Sequence, residues 1–334
     1  MPVILLLILL LVNLAGNTQP ALNDPNLKLW YNKPATIWEE ALPLGNGNMG
    51  AMVFGGIKKE RYQVNDNTLW SGYPEPGNNP QAAEYLPIVR KLIFEGNYDS
   101  ATTVWRKHMQ GPYSARYLPM GDLYLDFPVK DTIGTNYRRE LDLNTAISTV
   151  TYKSNGVTYK RETFINYYWG VMQIRLTASK PASINTTVSL TSKLRYKTTP
   201  YENFLVLRGK APSFVANRNY EPRQVVYEEE DGKGMNFIMS ARVVNKGGAL
   251  KTAQGDSSLQ VTNANEVVIY LSVATGFEGF DKMPARSMKR LEEISRTHYA
   301  KLDYQGKDYN YLKKRHITDY QKLFNRVRLD LGVN

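Results

Sequence analysis

The glycines of residues 45–50, GNGNMG, have the G-x-G-x-x-G spacing that cradles the pyrophosphate of a dinucleotide. That chemistry requires a buried parallel strand before the motif and a helix after it, because the helix N-terminus holds the phosphates. Pro43 and two adjacent glutamates precede the motif, which argues against a central strand. Four apolar residues and then Gly55 and Gly56 follow it, as is typical of a strand and a hairpin turn. We therefore predict a tight turn or a close backbone approach, and no dinucleotide site.

Acidic side chains could instead supply an acid–base pair, which for inverting hydrolysis requires two carboxyl groups about 6.5–9.5 Å apart. Glu39 and Glu40 are neighbours on a segment that we predict to be extended, so their side chains should point to opposite faces. The acidic run at residues 228–231 is expected at a solvated hairpin tip. Asp122 and Asp126 flank a short strand and are expected to end it. The sequence therefore predicts no catalytic pair of carboxyl groups.

The remaining reactive side chains do not form a recognisable site either. His108, His298 and His316 are far apart on predicted helices and lack the paired spacing of metal ligands, so we expect surface or packing roles. Ser71 lies in TLWSGYP and not in a G-x-S-x-G motif. The chain has no cysteine, which excludes disulfides, thiolate metal sites and cysteine nucleophiles. We predict no catalytic residue, no metal and no organic cofactor.

The positive charge of the chain is concentrated near its C-terminus. The formal net charge is +11, and residues 282–328 hold 13 Lys and Arg but only 5 Asp and Glu. Nucleic-acid binding is one interpretation of such a basic segment. Because no recognition motif or stacking array of aromatic residues accompanies it, we favour a solvated or domain-facing basic helix and predict no nucleic-acid partner.

The N-terminus begins with an apolar run of about ten residues, MPVILLLILLLV. The run is too short to span a bilayer as a helix, and it fits the central region of a secretory signal peptide. Ala15 and Gly16 lie near a plausible cleavage point, although no Lys or Arg precedes the run. We predict a signal peptide and leader at residues 1–21, a periplasmic or secreted protein, and no membrane span. The alternative is simply a hydrophobic N-terminus.

Most of the chain after this leader has the pattern of short strands separated by turns. Alternating polar and apolar residues at 172–178 place Ile174 and Leu176 on one face of a strand, and residues 266–274 form a mostly apolar strand. Two turn pairs predict hairpins: Asn155-Gly156 joins residues 147–153 to 157–164, and Asp231-Gly232 joins residues 225–229 to 235–244. The pattern predicts a mainly β fold, a large antiparallel β-sandwich or super-sandwich.

Two segments are predicted to be helical. Residues 81–109 form a short helical insertion, in which Pro87 suits a first turn and Gly96 ends the first helix. A C-terminal pair of linker helices begins near Pro284 and continues through residues 309–327, where apolar side chains recur at three- and four-residue steps. We therefore divide the chain into the leader at 1–21, a β-sandwich domain at 22–280 and a helical linker at 281–334.

Six stretches, in order and in register, resemble the N-terminal region of glycoside hydrolase family 95, the inverting α-L-fucosidases. They are LWYNKPATIWEEALPLGNGNMGAMVFGG, VNDNTLWSGYP, EYLPIVRKLIFEGNYDSA, YLPMGDLYLDF, YRRELDLNTAISTVTY and HITDYQKLFNRVRLDLG. The resemblance covers residues 29 to 334. The family more often has Arg at Asn48 and an acidic residue at Asn67, so the resemblance leaves the specificity of this chain open.

The resemblance implies a β-sandwich, a helical linker, an (α/α)6 barrel that carries the catalytic acid and the water-activating residues, and a small β domain. Twelve helices need well over 150 residues, and only about 50 follow Asp281, so the barrel is not in this sequence. No position matches the catalytic residues of the family. The resemblance thus implies the N-terminal domain of a fucosidase-like enzyme that is inactive alone, with a fucosylated glycan and its own barrel as partners. The alternatives are a stand-alone carbohydrate-binding or structural β-sandwich, and the N-domain of an α-L-galactosidase or a family 65-type enzyme.

Within this expected domain, one glycine-rich region has the residue types that bind sugars. Amides and carboxylates pair with sugar hydroxyls, and an indole stacks on the apolar face of a pyranose. We therefore select as pocket-lining candidates Asn46, Asn48, Asn65, Asp66 and Trp70. The alternative remains that Asn and Asp cap turns and that Trp70 packs in the core.

Overall fold

The computed structural model describes residues 27–129, 134–253, 255, 257–303 and 308–329. The predicted leader at 1–21 therefore lies outside the described residues. In chain order the strands are β1 (Lys28–Tyr31), β2 (Leu42–Gly45), β3 (Met49–Val53), β4 (Lys59–Asp66), β5 (Gly121–Asp126), β6 (Thr135–Asp142), β7 (Ile147–Ser154), β8 (Val157–Asn166), β9 (Val171–Ala178), β10 (Ile184–Thr191), β11 (Arg195–Tyr201), β12 (Phe204–Lys210), β13 (Phe214–Val215), β14 (Val225–Val226), β15 (Asn236–Lys246), β16 (Ala249–Thr252), β17 (Ser258–Ala264) and β18 (Glu266–Thr275).

These strands form two large antiparallel sheets and a short ribbon. One sheet has nine strands in the order β1-β6-β7-β8-β9-β18-β15-β12-β11, and the other has seven in the order β16-β17-β10-β5-β4-β3-β2. Strands β13 and β14 pair separately as the ribbon. The predicted mainly β antiparallel sandwich is confirmed. Pro43 fits this arrangement because it lies on β2, an edge strand, where a missing backbone donor does not interrupt a ladder.

The main core lies between the two sheets. Alternate residues of each strand point inward, so that Tyr62 and Val64 of β4 pack in one cluster with Ile174 of β9 and Ile269 of β18. The predicted face of Ile174 and Leu176 is the one that enters this core. Gln173, on the opposite face of β9, is also buried, because its register partners Phe164 and Tyr270 lie beneath a C-terminal helix.

One of the two predicted hairpins forms and the other does not. Ser154 pairs with Val157 across Asn155 and Gly156, as the Asn-Gly pair predicts. The hairpin predicted at Asp231-Gly232 is wrong. Strand β15 uses both of its edges, one for β12 and one for β18, so no edge is available to the preceding segment. That segment instead places β14 against β13.

The described residues also form four α-helices: α1 (Ala82–Phe94), α2 (Tyr98–His108), α3 (Met288–Asp303) and α4 (Tyr309–Phe324). Helices α1 and α2 are the predicted insertion at 81–109. The C-terminal pair is confirmed, although α3 begins at Met288 and not at Pro284. Glu39 and Glu40, expected on an extended segment, lie in a 3-10 turn where Thr36 donates its backbone N–H to Glu40 at 2.8 Å.

Helices α3 and α4 cover the outer face of the nine-stranded sheet. Leu291 of α3 packs with Ile238, and Tyr309 of α4 packs with Phe164 and Val268. His316 is buried on α4, where its ring stacks on Phe164 with a centroid distance of 4.7 Å. In the part of the chain that the structure describes, no helix is long and apolar enough to cross a membrane.

The two sheets are joined at one end of the sandwich, which we call the loop end. There the turn after β2 meets the turn after β8, since the Asn46 side-chain amide donates to the Asn166 carbonyl at 3.1 Å. Beside it the ends of β4 and β18 meet through the hydroxyls of Thr68 and Thr275, 2.5 Å apart. The connection that carries α1 and α2 and the one that carries the β13–β14 ribbon leave from this same end. The loop end therefore gathers turns from both sheets around one surface.

Candidate functional site

A polar cavity of about 340 Å³ opens at the loop end, between the ends of both sheets and helix α3. Three of the five predicted site residues line it: Asn46, Asn48 and Asp66. The structure adds Thr68, Thr275 and His298, which come from segments distant in sequence. The cavity is therefore a feature of the tertiary structure, to which the glycine-rich region contributes one wall.

Asn46 shapes this wall by holding the turn between β2 and β3. Its side-chain oxygen accepts the backbone N–H groups of Asn48 at 3.0 Å and Met49 at 2.8 Å. Gly47, which lies between Asn46 and Asn48, has a φ of 93°, a value that favours glycine. The G-x-G-x-x-G stretch is thus the turn of a β-hairpin, from the last residue of β2 to the second residue of β3. Asn46 caps this turn, as the structural alternative predicted, and the same turn places the exposed side chain of Asn48 at the cavity rim.

Asp66 is the buried acid of the cavity and lies at the end of β4. Its side chain points to the interior side of the sheet, where the carboxylate accepts the backbone N–H of Thr68 at 2.9 Å and the Thr68 hydroxyl at 2.5 Å. Because that hydroxyl proton is used, the Thr275 hydroxyl must donate to Thr68. Burial raises the pKa of the Asp66 carboxyl. The hydrogen bonds from Thr68 act in the opposite direction, but the net effect is a raised pKa. The result is a fixed carboxylate at the end of a chain of hydroxyls.

His298 forms the helical wall of the cavity. Its Nδ1 lies 2.7 Å from the Ser272 hydroxyl of β18, and its Nε2 edge lies close to Gly170 in the turn after β8. Burial lowers the pKa of His298, with a smaller contribution from Lys301, so the ring is neutral near pH 7. A neutral ring offers one donor and one acceptor. The sequence predicts only a surface or packing role for His298, because no local motif relates it to Asp66, 232 positions earlier.

Asn65 and Trp70 lie outside the cavity. Successive residues of a strand point to opposite faces, so Asn65 lies on the outer face of the seven-stranded sheet, where its side chain hydrogen-bonds Tyr117. Trp70 is 40% exposed, and its indole N–H donates to the Asn67 carbonyl at 3.0 Å. Its ring lies 5.4 Å from that of Tyr117. The five predicted residues therefore belong to two surfaces on either side of β4.

The cavity has the donor and acceptor set of a polyol site. Of the described residues that line it, one is an acid, Asp66, whereas inverting hydrolysis requires two carboxyl groups. Amides, hydroxyls and a neutral imidazole provide directional partners for ligand hydroxyls. Arg286, at the cavity edge, is paired with Glu278 at 3.1 Å. Among the described residues no group of three or more His, Asp or Glu could hold a metal ion. The arrangement can bind and orient a hydroxylated ligand.

Comparisons with known proteins match this architecture. Residues 29–279 match the family described as "Glycosyl hydrolase family 65, N-terminal domain". Alpha-L-fucosidase 2 of Arabidopsis thaliana is 34% identical over 314 residues, which cover 92% of this chain and 37% of that protein. Probable alpha-fucosidase A of Aspergillus niger is 28% identical, with 91% of this chain and 38% of that protein covered. The protein of the same name from Aspergillus oryzae is 25% identical, with 91% and 41% covered. The chain thus spans about two fifths of the length of these relatives.

Proposed function

The chain belongs to the glycosyl hydrolase family 65 N-terminal domain family, and from this we propose that it is the non-catalytic β module of an α-L-fucosidase-type glycoside hydrolase. The observation that carries the proposal is the 34% identity to an α-L-fucosidase over 92% of this chain but only 37% of that relative. The reaction of the whole enzyme is hydrolysis of a terminal α-L-fucosyl residue with inversion. Its acid and its water-activating residues belong to the barrel that follows this module, and no catalytic residue or cofactor is assigned here.

The contribution of the module is to bind and orient the glycan at the loop end. The Asp66 carboxylate, held by Thr68, has lone pairs left to accept ligand hydroxyls. The neutral His298 lines the same cavity, with its Nδ1 beside the Ser272 hydroxyl. Groups fixed before the ligand arrives lose little entropy on binding, which favours affinity for a weakly held sugar. Asn48, at the rim, sets which substituents fit.

The partner of the module is a further domain that docks beside α4. Leu323, Val327 and Leu329 are 65%, 84% and 79% exposed, and all three lie at or after the end of this helix. Exposed apolar side chains grouped in this way are typical of an interaction surface.

We infer further that the protein is exported to the periplasm or secreted, on the strength of the apolar run in residues 1–12. Detection of the protein in the cytoplasm with its N-terminus uncut would contradict that inference.

The experiment incubates the purified chain with a 4-nitrophenyl α-L-fucoside and with a 2′-linked fucosyl oligosaccharide. We expect no release of fucose, because the acid–base pair is elsewhere. Fusion of the chain to the C-terminal part of the Arabidopsis relative should give hydrolysis, and Asp66→Asn in this fusion should raise KM more than it lowers kcat. Asp126→Asn, at the half-exposed end of β5, is the matched control, since Asp126 pairs with Lys59 and does not line the cavity. Turnover by the unfused chain, or unchanged KM in a folded Asp66→Asn fusion, would overturn the proposal.

A second candidate function is a carbohydrate-binding β-sandwich that acts without a barrel. The observation that favours it is the exposed pair Trp70 and Tyr117, whose rings lie together on the outer face. Binding of fucosylated glycans by the chain, with no gain of activity on fusion, would support this function. An α-L-galactosidase or family 65-type enzyme is the third possibility, and a preference of the active fusion for galactosides or for phosphorolysis would identify it.

A further inference from the structure

We propose that a groove beside the β13–β14 ribbon is a second saccharide site, whose occupant is a neutral oligosaccharide. The inference rests on the proposed carbohydrate function but concerns a surface that shares no residue with the Asp66 cavity. The groove encloses about 770 Å³, within the range of sites that bury a ligand larger than a monosaccharide. Four segments of the loop end line it: residues 71–77, 112–115, 213–217 and 221–228.

The walls of the groove are held by backbone hydrogen bonds, so the site exists before a ligand arrives. Ser71 and Arg116 exchange two bonds of 2.8 Å, one to the Arg116 carbonyl and one to the Ser71 hydroxyl. Gly72 donates to the Pro212 carbonyl at 3.0 Å, which ties this wall to the ribbon. The backbone at Gly111 passes so close to the Gly77 carbonyl that a Cβ there would lie 2.1 Å from its oxygen. A preformed groove is the arrangement that weak, hydroxyl-rich ligands require.

Aromatic side chains give the groove faces on which sugar rings can stack. Tyr113 is 54% exposed and Phe214 is 44% exposed, although both line a concave surface. Tyr73 is half-buried and bonds its hydroxyl to the Glu75 side chain. The Tyr113 hydroxyl interacts with Arg218 and Gln110, so this ring is held in place at its polar end. Rings fixed in this way lose little freedom when a pyranose packs on them.

The charges around the groove are of both signs, which suits a neutral ligand. Its lining includes three glutamates, Glu75, Glu221 and Glu228, and one arginine, Arg223. Arg218, which bonds Tyr113, and Lys233, which lies near Tyr73 and Glu228, balance these carboxylates, so the groove offers no excess charge to an ionic ligand. The Glu221 carboxylate already accepts the backbone N–H groups of Asn217 at 3.1 Å and Arg218 at 2.8 Å. Since a carboxylate has about four acceptor sites, acceptors remain for the hydroxyls of a neutral sugar.

A basic peptide is the main alternative occupant, since three carboxylates line the groove. Two features favour the sugar. The carboxylates of Glu75 and Glu221 are already engaged by groups of the protein, which reduces their attraction for a cation. The rings of Tyr113 and Phe214 are exposed on the groove surface as platforms and do not form a closed aromatic cage. The experiment includes a basic peptide for this reason.

The test is isothermal titration of the full chain with a fucosylated trisaccharide, with the same sugar lacking fucose, and with oligolysine. The variants are Tyr113→Ala combined with Phe214→Ala, Asp66→Asn, and Tyr220→Ala as a matched control, since Tyr220 is exposed nearby but does not line the groove. We expect saccharide binding that the double variant weakens by about tenfold and that Tyr220→Ala leaves unchanged. Thermal unfolding checks that each variant folds. If the double variant does not fold, Glu228→Gln replaces it, with the same expected direction.

The outcomes separate this site from the proposed function. Saccharide binding unaffected by the groove variants, binding lost only in Asp66→Asn, or binding of oligolysine alone would each overturn the groove proposal. Turnover by the unfused chain would overturn the non-catalytic assignment and leave the groove untouched. Absence of any saccharide binding in a folded chain would overturn the groove proposal. The activity of the fusion would still test the proposed function.

Discussion

The Glu60 carboxylate lies 2.8 Å from the Arg161 guanidinium, and their side chains are 0% and 2% exposed. Glu60 is on β4 of the seven-stranded sheet and Arg161 is on β8 of the nine-stranded sheet, so the ion pair crosses the sandwich. The other Glu60 oxygen accepts the backbone N–H of Gly55 at 2.7 Å, and Arg161 donates to the Gly56 carbonyl at 2.6 Å. Burial and the neighbouring rings of Phe127 and Tyr152 isolate the pair from water.

We expect Glu60→Gln to destabilise the fold by about 3–5 kcal/mol, because it leaves Arg161 charged and buried without its partner. The measurement is the denaturant midpoint, with the slope used to confirm that the transition is unchanged. Glu229→Gln is the control, since Glu229 pairs with Arg195 at 3.1 Å on the surface and should change stability by at most about 0.5 kcal/mol. Equal effects of the two substitutions would contradict the assignment.

The second prediction concerns the pH dependence of the C-terminal helices. Burial lowers the pKa of His316 below its ordinary 6.5, although hydrogen bonds to the carbonyls of Thr145 and Ala146 act to raise it. The unfolded chain therefore binds a proton as pH falls below 6.5, while the folded state does not. Stability should be complete above pH 6.5 and fall by up to about 1.4 kcal/mol per pH unit below it, for each such histidine.

The variant that tests this pH dependence is His316→Gln, which can still donate to the Thr145 carbonyl. Unfolding midpoints measured between pH 5 and pH 8 should show a shallower dependence in this variant, with the part due to His298 remaining. A variant whose stability falls with pH as steeply as the parent would show that His316 does not contribute.

The third prediction concerns the attachment of α4 to the sheet. Lys313 donates to the Glu162 carboxylate of β8 at 2.7 Å, and Lys160 bonds the same oxygen at 3.0 Å. Burial alone would raise the pKa of Glu162, but the two lysines outweigh this effect and lower the pKa below its ordinary 4.5. The contact therefore persists at pH 4.5 and above, and it weakens only when the pH falls to the lowered pKa of Glu162.

Lys313→Met should therefore increase hydrogen exchange in α4 by several-fold while exchange in the central strands stays the same. Lys314→Met, which changes an exposed neighbour, is the control. The same increase in both variants would mean that the ion pair does not hold the helix.

The fourth prediction concerns association of the chain with itself. The exposed apolar side chains of Leu323, Val327 and Leu329 should promote association and poor solubility at high concentration. Serine at all three positions should shift the sedimentation profile toward monomer. Phe280→Ser is the control, since Phe280 is more exposed but lies in another segment of the chain, before α3. A monodisperse parent chain at high concentration would be the contrary result.

Much of this architecture is predictable from short-range sequence signals. Period-2 alternation in β9, the Asn-Gly pair after β7 and the apolar run of β18 each report a local preference that the tertiary structure also satisfies. The end of the first inserted helix is predictable for the same reason, since Gly96 ends α1 where its pattern stops. The expectation that Pro87 lies in a first turn is wrong, because α1 begins at Ala82 and Pro87 lies inside it. For these elements the local sequence preference agrees with the global fold, so a single sequence is enough to predict them.

The features that escaped prediction depend on which strands become neighbours. The Asp231-Gly232 pair is a sound hairpin signal, but β15 is already paired on both sides. Asn65 and Asp66 have similar chemistry and adjacent positions, yet the pleat of β4 places them on different surfaces. His298 reaches the cavity only because α3 packs across the end of β18. The spacing of residues within one segment of the sequence does not predict contacts of this kind.

The length of strand β8 makes this protein suited to single-site labelling. The strand has ten residues, from Val157 at one end to Asn166 at the loop end, and spans about 30 Å. Lys153 lies exposed beside the far hairpin, and the chain contains no natural thiol. Lys153→Cys would therefore carry one fluorophore or one bead linkage, with the loop end turned toward the solution for biosensor or immobilisation work.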